Sequence, residues 1–218
     1  MSRPVVIVGA GAGGRFTKEI FDVLGRPVRG YIDDFKEKDS RILGVPVLGS
    51  QALLDDTELL RQNDVIICLG DIALRRQLRR VIRERGGRLA NAIHPMSWIS
   101  PSATIGDGVV INAMAMVHPG AQIGSLVLIE GHSNVGVDNV IEDNVLMATG
   151  IMLNGSVVVR RDTFIGSGVV VIPNATIGAR CYIGAGAVVT EDIPEGKLAV
   201  GVPARVIKDS PIPDISGT

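Results

Sequence analysis

The stretch of sequence that decides the fold runs from Ile99 to Val189 and reads ISPSATIGDGVVINAMAMVHPGAQIGSLVLIEGHSNVGVDNVIEDNVLMATGIMLNGSVVVRRDTFIGSGVVVIPNATIGARCYIGAGAVV. Every sixth residue in it is aliphatic, and two residues earlier the side chain is mostly small or β-branched. A strict period of six is typical of a parallel β-helix, because each coil has three flat sides of six residues around a narrow interior. The sixteen aliphatic positions are Ile99, Ile105, Ile111, Val117, Ile123, Ile129, Val135, Ile141, Met147, Leu153, Val159, Ile165, Val171, Ile177, Ile183 and Val189. At three per coil, 16/3 gives 5.3 coils, so we predict a parallel β-helix of about five coils over residues 99–190.

The sequence of residues 1–92 indicates a different domain. We predict a linker over residues 93–98 and, after the coils, a tail over residues 191–218. Strand-length apolar runs alternate with helical patterns, which favours a small parallel sheet covered by helices. The predicted strands are 4–8, 28–32, 45–48, 64–69 and 89–93. The first helix is predicted to bury Phe16, Ile20, Val23 and Leu24. Ser50 and Asp71 are the predicted N-caps of the two later helices.

A glycine-rich loop joins the first predicted strand to the first helix. Gly9, Gly11 and Gly14 match the pattern G-x-G-x-x-G, and Asp33 and Asp34 follow about 20 residues on. Such a loop lets a phosphate approach the backbone at the positive end of a helix. A dinucleotide is one interpretation, but about 90 residues make only half of a full dinucleotide-binding fold, so a nucleotide-sugar suits the domain better. A tight turn that binds nothing is the structural alternative.

Composition excludes several other classes. The formal net charge of −1 and the isoelectric point near 6.3 argue against a nucleic-acid partner. The two cysteines, Cys68 and Cys181, lie inside apolar patterns, so no disulfide framework is predicted. The sequence contains neither a signal-peptide pattern nor an apolar run long enough for a membrane helix, and it predicts a cytoplasmic protein without a membrane partner or a bound metal.

Taken together, the loop GAGAGG, the segments YIDD, CLGD and IHP, the coils and the closing GVPAR resemble a known family. This family contains the sialic-acid O-acetyltransferase-like proteins and the nucleotide-4-amino-sugar N-acetyltransferases, which belong to the hexapeptide-repeat acyltransferases. The resemblance covers residues 3 to about 208. It implies a left-handed coil, a homotrimer, acetyl-CoA as co-substrate, and a UDP- or GDP-linked sugar as acceptor in cell-surface glycan biosynthesis.

The resemblance also assigns site residues. Those that match positions holding the nucleotide-sugar are Gly11, Gly13, Asp33, Asp34, Gly70 and Asp71. Those that match positions near acetyl-CoA are Gly155, whose N–H would face the thioester carbonyl, and Gly201, Pro203, Ala204 and Arg205. Four arginines on the third helix, Arg75, Arg76, Arg79 and Arg80, could assist with phosphates, but we favour a solvated helix face.

The sequence departs from the family at the catalytic position. Where the family carries an acid–His–acid triplet, this chain has Gly136-Val137-Asp138. Asp138 matches the second acid, but Val137 replaces the histidine base, Leu146 replaces a second histidine and Glu130 replaces an asparagine. Of the three histidines, His94 lies at the domain junction, and His118 is a poorer candidate than His132, which Glu130 could orient.

Three hypotheses follow for the chemistry. The chain could be an N-acyltransferase that works by positioning an already nucleophilic amine, with little help from a base. It could be an O-acetyltransferase with His132 as a relocated base. It could also be an inactive relative that only binds a nucleotide-sugar or acyl-CoA.

Overall fold

The structure, a computed structural model, describes residues 3–214 and divides between His94 and Pro95 into two compact units. Residues 1–2 of the predicted N-terminal domain and residues 215–218 of the predicted tail lie outside the described residues.

The N-terminal unit is a sheet with helices in its connections. Its strands and helices, in chain order, are β1 (Val5–Val8), α1 (Ala12–Val23), β2 (Val28–Ile32), β3 (Arg41–Ile42), β4 (Val45–Gly49), a 3₁₀ helix (Gln51–Asp55), α2 (Thr57–Gln62), β5 (Asp64–Ile67), α3 (Ile72–Glu84), β6 (Arg88–Leu89) and β7 (Ala92–Ile93). The strand order is β3-β4-β2-β1-β5-β6. All pairings are parallel except β3 with β4, an antiparallel edge hairpin that the sequence pattern did not predict.

Of the four residues predicted to form the buried face of helix α1, only Ile20 is buried. Gly14, Thr17, Ile20 and Phe21 face the sheet, whereas Val23, Leu24 and Phe16, which is 58% exposed, face outward. The reason is close packing at the start of the helix: a Cβ on Gly14 would lie 1.9 Å from the carbonyl oxygen of Gly9. The stripe that begins at Gly14 therefore sets the helix rotation.

The second unit contains sixteen two-residue strands, and the predicted aliphatic is the second residue of each. They are β8 (Trp98–Ile99), β9 (Thr104–Ile105), β10 (Val110–Ile111), β11 (Met116–Val117), β12 (Gln122–Ile123), β13 (Leu128–Ile129), β14 (Asn134–Val135), β15 (Val140–Ile141), β16 (Leu146–Met147), β17 (Met152–Leu153), β18 (Val158–Val159), β19 (Phe164–Ile165), β20 (Val170–Val171), β21 (Thr176–Ile177), β22 (Tyr182–Ile183) and β23 (Val188–Val189). From β8 to β20, each strand pairs in parallel with the strand three places later, which builds the three sides of a prism. The aliphatic side chains are buried from Ile111 onward, and those of Ile99 and Ile105 are half-buried.

The corners of the prism use residues in the left-handed backbone region. One corner recurs every 18 residues and is formed by Met114, His132, Gly150, Gly168 and Gly186, all with positive φ. His132, with φ of 58°, is therefore a corner residue. After the coils, β24 (Lys197–Val200) extends the sheet beside β22, and β25 (Arg205–Asp209) returns antiparallel to it.

Candidate active site

The four glycines of the loop fall into two groups. Gly9 and Gly14 are closely packed, whereas Gly11 and Gly13 have room for a larger neighbour. A Cβ on Gly9 would lie 2.7 Å from the carbonyl oxygen of Cys68, and Gly14 is equally closed. A Cβ on Gly11 would meet nothing within 4 Å, and one on Gly13 would meet only ordinary contacts. Gly11 is also the N-cap of α1 and provides no side-chain cap, so the first amides of the helix are free to face a ligand. Gly11 and Gly13, the two predicted binding glycines, are thus the accessible ones.

Asp33 and Asp34 follow β2, and their carboxylates stabilise the neighbouring loops by accepting hydrogen bonds from backbone N–H groups. The carboxylate of Asp33 accepts hydrogen bonds from the N–H of Ala10 at 2.8 Å and of Phe35 at 2.9 Å. Asp34 accepts from the N–H of Gln51 at 2.7 Å. Each carboxylate oxygen has two lone pairs, so both residues can still accept a bond from a ligand.

The second predicted loop, Gly70-Asp71, precedes α3. Gly70 is open, since a Cβ on it would meet nothing within 4 Å, and Asp71 caps the helix by accepting from the N–H of Leu74 at 3.0 Å, as predicted. The cap predicted at Ser50 is wrong, because its side chain makes no capping bond; the N-cap of α2 is Asp56, which accepts from Glu58 and Leu59.

Arg75 corrects the prediction of a solvated arginine face. Its side chain is only 2% exposed, and its Nη1 donates to the carbonyl oxygens of Ile67 at 3.0 Å and Leu69 at 3.2 Å. Burial lowers the pKa of its guanidinium to about 10. Arg75 thus fixes the end of β5 and the backbone that leads into Gly70. Arg80, by contrast, is exposed and pairs with Glu84.

A cleft of about 260 Å³ lies beside α1. It is lined by Ala12, Arg15, Phe16, Glu19 and Leu43, so it begins at the first turn of the helix, next to the glycine loop. Phe16 and Phe35 are both exposed, although the chain has only four phenylalanines.

On the coils, the position that the resemblance assigns to the catalytic base is a surface site. Val137 is 45% exposed, and Asp138 occupies a corner with φ of 56°, its carboxylate lying over Gly120 of the previous coil. A Cβ on Gly155 would lie 3.7 Å from the carbonyl oxygen of Val137, so Gly155 sits one coil later at the same corner. Its N–H makes no hydrogen bond within residues 3–214.

Glu130 and His132 are not paired with each other. The Glu130 carboxylate accepts from the Asn112 amide, and its burial raises the pKa of that carboxyl above its ordinary value. His132 is exposed, and within the described part of the chain it makes no hydrogen bond. The structure therefore gives no support to the orientation of His132 by Glu130.

Unlike His132, His118 has a hydrogen-bond partner and a ring contact that hold its side chain. Its Nε2 lies 2.7 Å from Oδ1 of Asn134, and its ring makes an edge contact with Trp98, with ring centres 5.5 Å apart. The amide of Asn134 in turn donates to the carbonyl oxygen of Leu153 at 3.3 Å. The sequence already places His118 on the same prism face as Val137, one coil earlier, but the pattern does not show the contacts of His118 with Asn134 and Trp98.

The predicted tail residues pack on the last coil. Ala204 is buried and its N–H donates to the carbonyl oxygen of Val188, while the N–H of Val188 donates to the carbonyl oxygen of Gly201. Arg205 pairs with Glu191 at 2.9 Å, and Pro203 is exposed. No group of three histidine, cysteine, aspartate or glutamate residues within 3–214 is arranged to hold a metal ion. None of the helices in that range has the length and apolar character needed to cross a membrane.

Comparison with known proteins agrees with this arrangement. The PglD N-terminal domain model matches residues 4–82, and the bacterial transferase hexapeptide model matches residues 156–191. A variant of perosamine N-acetyltransferase from Caulobacter crescentus, solved with CoA and GDP-perosamine, is 35% identical, with a TM-score of 0.89, over 94% of this chain and 97% of that one. The acetyltransferase domain of PglB from Neisseria gonorrhoeae is 30% identical, with a TM-score of 0.88, over 94% of this chain and 100% of that domain.

The chain belongs to the nucleotide-amino-sugar N-acetyltransferase family. A search of curated proteins finds no match. Membership confirms the predicted fold, a Rossmann-like N-terminal domain followed by a left-handed parallel β-helix, and makes the chain an acyltransferase.

Proposed function

We propose that this chain transfers an acetyl group from acetyl-CoA to the amino group of a nucleotide-linked sugar. The observation that carries the proposal is the pairing of two open sites on one chain. They are the glycine loop, with Gly11 and Gly13 exposed at an uncapped helix end, and the Val137–Gly155 corner of the coils. The solved relative with CoA and GDP-perosamine supports this assignment.

The nucleotide-sugar would bind to the N-terminal unit. Its diphosphate would face the first amides of α1, where the helix dipole favours negative charge. Asp33, Asp34 and the Gly70-Asp71 loop supply acceptors around this point. The exposed rings of Phe16 and Phe35 are suited to stack on a nucleobase, and the cleft beside Phe16 offers it room.

Acetyl-CoA would bind along the coils. The free N–H of Gly155 would donate to the thioester carbonyl and stabilise the oxyanion that forms when the amine attacks. The tail residues Gly201, Pro203, Ala204 and Arg205 would lie near the adenine end. An amine is a good nucleophile once neutral, so the replacement of the family histidine by Val137 is compatible with N-acetylation.

A homotrimer fits the exposed side chains of the coils. Trp98, Met116 and Met152 project from β8, β11 and β17 of one prism side, and Ile172 follows β20 on the same side. This apolar strip, which Asn134 interrupts between Met116 and Met152, is typical of a subunit interface. Cys68 and Cys181 form no disulfide within residues 3–214, which fits a reducing compartment. We place the reaction in the cytoplasm, in the synthesis of cell-surface glycans.

Thermal shift with separate ligands tests this function. Acetyl-CoA and a nucleotide-linked 4-amino sugar should each raise the melting temperature, because each binds only the folded chain. GDP- and UDP-linked sugars are compared side by side to identify the nucleotide. A rise with NAD and none with nucleotide-sugars would contradict the proposal in favour of a dinucleotide site.

A further inference from the structure

The family resemblance assigns the catalytic base to position 137, where this chain has a valine, whose side chain cannot accept a proton. We propose that His118 is the group that takes the proton from the attacking amine in this chain, and that Asn134 positions its ring. This proposal rests on the proposed acetyl transfer.

The register of the coils brings His118 close to Val137. Strands β11 and β14 pair Val117 with Val135, so His118 lies beside Gly136, one coil and one residue from Val137. With strands ~4.8 Å apart and a rise of ~3.3 Å per residue, the Cα atoms of His118 and Val137 are about 6 Å apart. Gly136 has no side chain to cover the imidazole. His132, by contrast, lies in the corner that precedes β14.

The hydrogen bonds around Asn134 determine which imidazole nitrogen is free. Only the amide nitrogen of Asn134 can donate to the carbonyl oxygen of Leu153, so its Oδ1 is the atom that faces His118. Since Oδ1 is an acceptor only, Nε2 of His118 carries the hydrogen. The neutral ring therefore presents its lone pair at Nδ1, which is the state that a general base requires.

Trp98 limits the motion of the ring from the other side. The two rings meet at an interplanar angle of 65°, an edge-to-face arrangement, and His118 is half-buried. A histidine held by an amide oxygen and an aromatic ring resembles an oriented base more than a surface side chain. His132 has neither contact.

In the proposed reaction, His118 carries one proton from the amine to the sulfur of CoA. The amine nitrogen attacks the thioester carbon and forms the C–N bond while the carbonyl oxygen becomes an oxyanion. Nδ1 of His118 takes a proton from the attached nitrogen. The oxyanion then collapses, the C–S bond breaks, and the proton passes to the sulfur of CoA, leaving an N-acetyl sugar, a free thiol and neutral His118.

The test compares steady-state kinetics of His118→Ala and His118→Gln with those of the full-length wild type, using acetyl-CoA and a nucleotide-linked 4-amino sugar. The glutamine variant keeps a donor for Asn134 and so preserves the fold. We expect kcat to fall by roughly 10²–10⁴-fold in both, with KM values within about threefold of the wild type. Added imidazole should restore part of the lost rate to His118→Ala, since a small base can occupy the vacated space. Asn134→Ala should lower kcat by about tenfold, through the ring that it positions.

His132→Ala is the matched control and should lower kcat by less than about tenfold. The role of His118 is overturned if both of its variants keep more than about a tenth of wild-type kcat, if His132→Ala loses as much, or if imidazole restores nothing. An inactive wild type that binds neither ligand overturns the proposed function itself. An active wild type with active His118 variants overturns only the base.

Discussion

The backbone N–H of Ala10 donates a hydrogen bond to Oδ2 of Asp33 over 2.8 Å, so the carboxylate that follows β2 holds the glycine loop that follows β1. The other oxygen of the same carboxylate receives the N–H of Phe35. One side chain therefore shapes two loops of the proposed nucleotide site, those after β1 and β2. The acid that sequence reasoning assigned to the ligand is also part of the scaffold.

Replacement of Asp33 should affect binding and stability together. We expect Asp33→Ala to abolish detectable binding of the nucleotide-sugar and to lower the free energy of unfolding by about 1–3 kcal/mol, because two backbone donors lose their acceptor. Binding of acetyl-CoA, whose proposed site is on the coils, should be unchanged. Calorimetric titration with each ligand and urea unfolding check this; an unaltered nucleotide-sugar affinity would refute the assigned role.

Two glycines of one loop should respond in opposite ways. Gly14→Ala should prevent correct packing of α1, because the added Cβ would lie 1.9 Å from a carbonyl oxygen. Gly11→Ala should fold with stability within about 0.5 kcal/mol of the wild type, since nothing lies within 4 Å, yet it should weaken nucleotide-sugar binding. Thermal melts followed by circular dichroism measure the stability of the two variants, and calorimetric titrations measure their affinity for the nucleotide-sugar. Equal stability losses in the two variants would contradict this division of the loop.

The buried Arg75 should be needed for folding of the N-terminal unit. Arg75→Met removes the donor for the carbonyl oxygens of Ile67 and Leu69, and we expect a loss of about 2–4 kcal/mol in urea unfolding. Arg80→Ala, which breaks only an exposed pair with Glu84, is the control and should cost less than about 1 kcal/mol. Similar losses for the two arginines would mean that the burial of Arg75 has no energetic consequence.

Glu130 should destabilise the fold as pH rises. Burial raises the pKa of its carboxyl in the folded chain above the ordinary value of 4.5, so the folded state holds this proton more tightly than the unfolded state does. Its favourable contribution is present below the unfolded pKa and is lost as pH rises through the folded pKa. Glu130→Gln should therefore gain stability relative to the wild type between pH 4 and pH 7. A difference that stays constant over this range would disprove the shift.

The apolar strip on the coils should hold the oligomer together. Met116→Glu places a charge in this strip, directly beside Trp98 of the neighbouring coil, and we expect it to convert the proposed trimer into monomers in sedimentation velocity. The control is Lys208→Glu, at an exposed position of β25. It changes the net charge by two units instead of one, yet it should leave the proposed trimer intact. A wild-type monomer at micromolar concentration would contradict the trimer directly.

Sequence periodicity predicted the coils down to each strand, because every interior aliphatic is set by the same local geometry. Contacts between different helices, strands and loops were harder to predict from the sequence. The carbonyl oxygens that bury Arg75 belong to β5 and the loop after it, and the close approach of Gly9 to Gly14 is not visible in a helical pattern. The pairing of His118 with Asn134 spans two coils, so it emerges only when the chain is aligned in rows of one coil.

The most direct measurement mixes the wild-type chain with acetyl-CoA and a GDP-linked 4-amino sugar and follows the sugar by mass spectrometry. The UDP-linked sugar is run in parallel, and a hydroxyl sugar of the same nucleotide serves as the control acceptor. We predict that an amino sugar gains the mass of one acetyl group, that one free thiol appears for each acetyl transferred, and that the hydroxyl sugar is unchanged. Binding of both substrates with no gain in mass on either amino sugar would contradict the account.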